Sequence, residues 1–368
     1  MTTPSLPSRL RLACDSCETT YDEWRWRCSC GAPLDFDVQP RPTPASATPA
    51  DADFDYRRGL WAFDDFLPTT PQASLGEGMT PLVDAPEWEA SFKLEYVFPT
   101  GSFKDRGATS TLSVALELGV DRVVEDSSGN AGAAIATYAA RAGIDAEIYV
   151  PASVKPAKVR AIERAGANPV RIEGTRQDVT DACIEEVENG NAWYASHAWN
   201  PAFFAGTATF AYEVAAQRDW SVPDAVVTPL GHGTLFLGAY RGFRALYDAG
   251  WIDRMPELYG AQAAGYAPIA DARHHTTDET NDVADGIQIH NPVHETEIHE
   301  ALDETGGDAI ALSADAVEDE LDRLHRHGFY TEPTCAVAPA ALRELRLAGT
   351  LSADADVVVP LTGSGLKS

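Results

Sequence analysis

Short apolar runs alternate with longer helix-like stretches from residue 92 to residue 261, and this alternation constrains the fold more than any other feature. The runs at residues 92–96, 122–125, 146–150, 169–172, 225–228 and 257–261 are rich in β-branched or alternating apolar residues and read as strands. Between them, residues 108–118, 130–142, 158–165, 201–217 and 234–249 read as helices, with Gly143 and Gly166 as stops. Strands separated by helices of roughly 10 to 15 residues are the pattern of βαβ units and a parallel sheet. A last strand at residues 356–360 delivers the C-terminal run Leu361-Thr-Gly-Ser-Gly-Leu-Lys367. The expected class is therefore α/β.

Three of the connections carry chemistry-bearing residues. Phe98-Pro-Thr-Gly-Ser-Phe-Lys-Asp-Arg-Gly107 sets Lys104 behind a turn-forming run (Pro99, Thr100, Gly101, Ser102) and ahead of a helix. A lysine held by backbone on both sides is what an amine needs to meet an aldehyde in a fixed geometry. Taken alone, a surface lysine in a helix-starting turn explains it equally. Ser127-Ser-Gly-Asn-Ala-Gly132 joins a strand to a helix, so its amides and hydroxyls suit a carboxylate, although a plain N-cap accounts for the serines and glycines. Gly231-His-Gly-Thr-Leu235 joins a second strand to a helix and suits a phosphate, with Thr234 adding a hydroxyl.

Four of the six cysteines fall in the first thirty residues, as Cys14-Asp-Ser-Cys17 and Cys28-Ser-Cys30-Gly31. Four thiolates on two short turns suit tetrahedral zinc at about 2.3 Å, in a structural role, because four cysteines leave no open position. The tight second pair also permits a metal-poor ribbon or free thiols. Residues 39–52 are Pro, Ala and Thr with little else and read as a linker. Cys183 and Cys335 read as small buried residues, and His274, His275, His290, His294 and His299 as a polar surface group.

With 28 basic and 56 acidic residues the chain carries −28, and its lysines are only Lys93, Lys104, Lys155, Lys158 and Lys367. Such a surface repels nucleic acid and anionic membrane and suits a salt-rich cytoplasm. No apolar run is long enough to span a bilayer and the N-terminus lacks a signal-peptide core, so a cytoplasmic protein is expected.

Together the PTGSFK, SSGN, GHGTL and LTGSGLK stretches, with Ser74-Leu-Gly-Glu-Gly-Met-Thr-Pro-Leu82 ahead of them, resemble the threonine synthase branch of the fold-type-II pyridoxal-phosphate enzymes. The resemblance implies two three-layer parallel-sheet domains of the tryptophan synthase beta-like kind, preceded by a zinc-ribbon-like segment. The implied boundaries are 1–38 for the ribbon, 39–54 for the linker, 55–108 with 211–368 for a large cofactor domain, and 109–210 for a small domain. It further implies pyridoxal 5'-phosphate on Lys104, held by Phe103, Asn130, Gly231, His232, Gly233, Thr234, Leu235 and Thr362. Substrate contacts would fall to Ser127, Ser128, Gly129, Thr100, Lys93 and Asn200, and structural zinc to Cys14, Cys17, Cys28 and Cys30.

The implied reaction is O-phosphohomoserine plus water to threonine plus phosphate, on an amino-acid substrate, with neither nucleic acid nor membrane as partner and a homodimer as the assembly to test. The chain departs from the family at three places: Phe98 stands where it has Asn, Phe203 where it has an Arg for the substrate phosphate, and His232, with one glycine fewer, in the phosphate loop. Those departures, and the dehydratase-like string Ala284-Asp-Gly-Ile287, leave a serine/threonine dehydratase or a cysteate-synthase-like replacement enzyme as alternatives. An inactive zinc-ribbon interaction protein is the reading of a different class.

Overall fold

The structure, a computed structural model, describes residues 6–39, 49, 52–274 and 279–367. The expected linker lies almost wholly outside the described residues, as does His275. The chain forms two compact units. Unit one comprises Met1–Pro42, Phe54–Gly78 and Lys104–Thr207; unit two comprises Thr43–Asp53, Met79–Phe103 and Ala208–Ser368.

In chain order, unit one opens with β1 (Leu12–Ala13), β2 (Thr20–Tyr21) and β3 (Asp35–Phe36), and unit two with the antiparallel pair β4 (Leu82–Ala85) and β5 (Ala90–Lys93). Unit one resumes with α1 (Lys104–Glu117), β6 (Arg122–Glu125), α2 (Asn130–Ala142), β7 (Asp145–Pro151), α3 (Pro156–Arg164), β8 (Asn168–Ile172), α4 (Arg176–Glu188) and β9 (Trp193–Tyr194). The unit boundary then falls inside α5 (Pro201–Gln217). Unit two continues with β10 (Ala225–Pro229), α6 (Thr234–Asp248), β11 (Glu257–Ala263), α7 (Pro268–Arg273), α8 (Glu295–Thr305), β12 (Ala309–Leu312), α9 (Ala314–Arg326), α10 (Pro333–Leu347) and β13 (Val357–Pro360).

Unit one has a four-stranded sheet of order β8-β7-β6-β9, parallel throughout. Unit two has a six-stranded sheet of order β12-β11-β10-β13-β5-β4, parallel except at β4. These are the parallel sheets that the strand–helix alternation requires. In unit two, β10, β13 and β5 are parallel neighbours, so the loops after Pro229, Pro360 and Lys93 leave the sheet at one end. Ligands of parallel sheets bind beyond such carboxyl ends.

Local chemistry sets the helix limits. Gly143 ends α2 in the left-handed conformation (φ 71°), which costs glycine nothing. Thr175 and Asp178 form a reciprocal capping box at the start of α4. Pro occupies the first turn of α3, α7 and α10, where its missing N–H is not needed.

Two differences from the sequence reading have physical causes. The ribbon shares its core with the helices of unit one: Leu10, Leu12, Leu34 and Phe36 pack with Val114 of α1 and Ala202 of α5. Residues 54–78 group with unit one and not with the larger domain: the amide of Leu60 donates to the Glu77 carbonyl, and the Trp61 indole donates to the Glu77 carboxylate at 2.7 Å. Among the described residues, no helix is long and apolar enough to cross a membrane.

Candidate active site

Unit two gathers three of the expected elements at one end of its sheet. The turn before Lys104 is closed by the Gly101 amide on the Phe98 carbonyl (2.8 Å), with Gly101 at φ 75°. That turn is tied to the C-terminal motif. The Phe103 amide donates to the Thr362 carbonyl at 3.0 Å, the Ser364 amide to the Gly101 carbonyl at 2.9 Å, and Ser102 bridges Gly363. Thr362 is 4% exposed, and its hydroxyl lies 3.3 Å from the Cys335 thiol. Cys335 is the small buried residue expected, and burial pushes its thiol up to about 12, so it stays neutral. Thr100 is half-buried in the same turn.

After β10, Leu230 and Gly231 lead into α6, whose N-cap, Gly233, sits at φ 81° and offers no side-chain cap to the first turn. Uncapped amides at the start of a fifteen-residue helix are the donors an anion needs. Thr234 and Leu235 open that turn as buried residues, and His232 is half-buried. The Ala284-Asp-Gly-Ile287 string packs here as well: a β-carbon on Gly231 would come within 3.2 Å of Ile287. These donors suit a phosphate, and with the buried Thr362 hydroxyl they fit pyridoxal phosphate.

Unit one carries the rest. Lys104 is the first residue of α1, not a turn residue before the helix, and is half-buried. Its ammonium lies 5.6 Å from the centre of the Phe203 ring. Phe203 is fully buried, so the place where the family has an arginine is packed hydrocarbon. Gly107 makes room for it, since a β-carbon there would come within 2.2 Å of the ring. Ser127, Ser128 and Gly129 form the turn from β6 into α2, with the Gly129 amide donating to the Ser127 hydroxyl at 3.3 Å, and Asn130 is the first residue of α2. Gly132 is obligatory, because a β-carbon would sit 1.8 Å from the Ser127 carbonyl.

Two expected substrate contacts have other work. Lys93 is completely buried, its ammonium donating to the Glu213 carboxylate at 2.7 Å and to the Thr80 carbonyl at 2.6 Å. An ammonium committed to a buried carboxylate is a structural ion pair and not a substrate donor. Asn200 is 3% exposed and starts α5: its side-chain oxygen accepts from the Ala202 amide at 3.0 Å, and its NH₂ donates to the Tyr194 carbonyl at 3.2 Å. His294 also leaves the surface group, being 7% exposed and 3.1 Å from Glu297.

The four sulfurs of Cys14, Cys17, Cys28 and Cys30 lie within 4.8 Å of one another, with Cys14–Cys30 at 3.6 Å and Cys17–Cys28 at 3.4 Å. A zinc–thiolate tetrahedron with bonds of about 2.3 Å has edges of roughly 3.8 Å, so the donor set fits that ion. The Cys30 amide and the Tyr21 hydroxyl, 3.1 Å away, hold the Cys28 thiol down to about 6.

The comparisons agree with this architecture. The family model described as "Pyridoxal-phosphate dependent enzyme" matches residues 73–363. The chain is similar to the threonine synthase of Methanosarcina acetivorans, with 34% identity over 84% of this chain and 80% of that protein. It is also similar to the threonine synthase of Methanocaldococcus jannaschii, with 32% identity over the same shares. Among solved structures, maize serine racemase superposes with a TM-score of 0.68 at 21% identity, over 78% of this chain and 88% of that one, which is a likeness of fold.

Proposed function

Given that this chain belongs to the pyridoxal-phosphate dependent enzymes, in their threonine synthase family, we propose that it converts O-phosphohomoserine and water to threonine and phosphate. The observation that carries the reading is the gathering, at one end of the unit-two sheet, of the Thr362 hydroxyl, the uncapped start of α6 and the turn that ends one residue before Lys104. Bound pyridoxal phosphate supplies an electron sink that acidifies the hydrogens beside the substrate amine.

The chain's own residues do the rest. Lys104 would hold the cofactor, and its amine, once released, would take the α proton of the substrate. The first-turn amides of α6 and the Thr234 hydroxyl hold the cofactor phosphate. The Thr362 hydroxyl would donate a hydrogen bond to the ring nitrogen without giving up its proton, which would keep the sink mild and favour elimination and replacement at the side chain. Ser127, Ser128 and Gly129 take the substrate carboxylate, and Asn130 lies beside the ring.

Offered O-phosphohomoserine, O-phosphoserine, threonine and serine in molar KCl, the protein is expected to release phosphate and form threonine from the first. Keto acid from threonine or serine without phosphate release would move the reading to a dehydratase, the alternative that the likeness of the Ala284–Ile287 string suggests.

We also assign one structural zinc to Cys14, Cys17, Cys28 and Cys30. Because the ribbon shares a core with α1 and α5, chelation should lower the melting temperature of the whole protein. Elemental analysis of purified protein should find one zinc per chain. Four rapidly titrating thiols with no metal would refute the assignment.

The net charge of −28 makes the fold salt-dependent. Raising KCl from 0.1 M to 1 M shortens the Debye length from about 10 Å to about 3 Å and screens carboxylate repulsion. The melting temperature should rise steeply over that range, and a flat profile would contradict the expectation.

A further inference from the structure

The thiol of Cys335 lies against the hydroxyl that the cofactor ring is expected to meet, and it has no part in the roles above. Two segments of unit two are stitched together to bring this about. Ser102 bridges Gly363, Thr331 bridges Ser364, and the Glu332 amide donates to the Gly363 carbonyl at 3.0 Å. Gly363 permits the approach, since a β-carbon there would come within 2.3 Å of the Glu332 carboxylate. Cys335 follows in the first turn of α10, with its amide on the Glu332 carbonyl at 3.0 Å, and is 0% exposed.

Three contacts of the sulfur decide where its hydrogen goes. The Gly363 amide donates to it at 2.9 Å, the Gly363 carbonyl lies 3.1 Å away as an acceptor, and the Thr362 hydroxyl oxygen lies 3.3 Å away. Among the described residues, this sulfur is the one hydrogen-bond partner of the Thr362 hydroxyl. Burial, and after it Glu332, pushes the thiol up to about 12, so it keeps its hydrogen although the Thr362 and Gly363 contacts oppose them.

A thiol has one hydrogen to place, and so has a hydroxyl. With S–H on the Gly363 carbonyl, the sulfur accepts the Thr362 hydrogen and every donor in the cluster is used. When a ring nitrogen draws the Thr362 hydrogen away, that arrangement leaves sulfur and oxygen facing each other with lone pairs alone. Turning S–H onto the Thr362 oxygen removes the conflict. The Gly363 carbonyl keeps the Glu332 amide, so no buried group is orphaned. S–H, O–H and the ring nitrogen then form one chain of hydrogen bonds, in which each strengthens the next.

We propose that Cys335 is a positioning residue for Thr362: its S–H caps the Thr362 oxygen and thereby directs the hydroxyl hydrogen to the ring nitrogen of the cofactor. The proposal rests on the reading that Thr362 meets that nitrogen, and it is independent of the substrate.

The test loads the protein with pyridoxal phosphate isotopically labelled at the ring nitrogen and reads that nitrogen's magnetic resonance shift, which follows the hydrogen bond it accepts. Cofactor affinity is measured alongside. Cys335→Ala should move the shift toward that of an unbonded ring nitrogen and weaken cofactor binding roughly threefold to tenfold. Cys335→Ser keeps a group that can donate to the Thr362 oxygen and should restore both. Thr362→Val removes the donor itself and should move the shift at least as far as Cys335→Ala. The infrared S–H stretch of Cys335, isolated by difference from Cys335→Ser, should also change in Thr362→Val, where the Gly363 carbonyl is the acceptor left to it.

A shift that moves in Thr362→Val but not in Cys335→Ala would overturn the proposal and leave the Thr362 reading standing. A shift unmoved in both would refute the Thr362 reading, and the proposal with it. A change in Cys335→Ala that Cys335→Ser does not reverse would mark lost packing and count against the proposal. If Cys335→Ala fails to fold, an S–H stretch that is the same in wild type and Thr362→Val overturns it alone.

Discussion

Lys104→Ala should leave a folded protein that has lost both the visible absorbance of the cofactor–lysine linkage and threonine formation, with turnover down by on the order of 10³-fold or more. The other lysines are poor substitutes. Lys93 is buried against Glu213. Lys155 precedes the first turn of α3 as an exposed residue, Lys158 lies within α3, and Lys367 is exposed at the end of the chain. Lys104 differs because its backbone is set on both sides, by the Phe103–Thr362 hydrogen bond before it and by α1 after it. A fixed backbone removes most of the orientational entropy that an amine would otherwise lose on reaching its target. Borohydride reduction and peptide mapping should place the pyridoxyl label on Lys104. Label on Lys158 with Lys104 unmodified would sink the assignment.

What the sequence made legible was what is local in the chain. The stretches 122–125, 130–142, 225–228 and 234–249 are found as β6, α2, β10 and α6 to within about a residue at each end, because their turns carry their own glycines and caps. The four cysteines meet for the same reason, lying on two short turns. The start of α1 was read four residues late. Gly107 looks like a helix breaker, and only the Phe203 ring, far along the chain, explains why it has to be glycine. α4 was overlooked although its Thr175–Asp178 capping box is a readable signal. Cys335 was read only as a small buried residue, with better excuse, since its contact Thr362 lies 27 residues along the chain and Cys335 belongs to none of the motifs.

Lys93 shows how a long-range partner reverses a local reading, and the variant that tests it should have a large effect on stability. At the end of β5, next to the turn that leads to Lys104, a lysine looks available for a substrate anion. Its partner Glu213 lies 120 residues on, the lone charged residue of α5. Both side chains are 0% exposed, and the Thr80 amide donates to the same Glu213 oxygen at 3.1 Å. Removing one member leaves an uncompensated buried charge, so Lys93→Met should cost about 3–5 kcal/mol, or roughly 4 to 6 °C in melting temperature for a chain of this length. The double variant Lys93→Met with Glu213→Gln keeps an acceptor for the Thr80 amide and removes the orphan charge. It should therefore recover most of the loss. A double variant as unstable as the single one would show that the cost was lost packing. A Lys93→Met protein with an unchanged melting temperature and a raised KM would return Lys93 to the substrate.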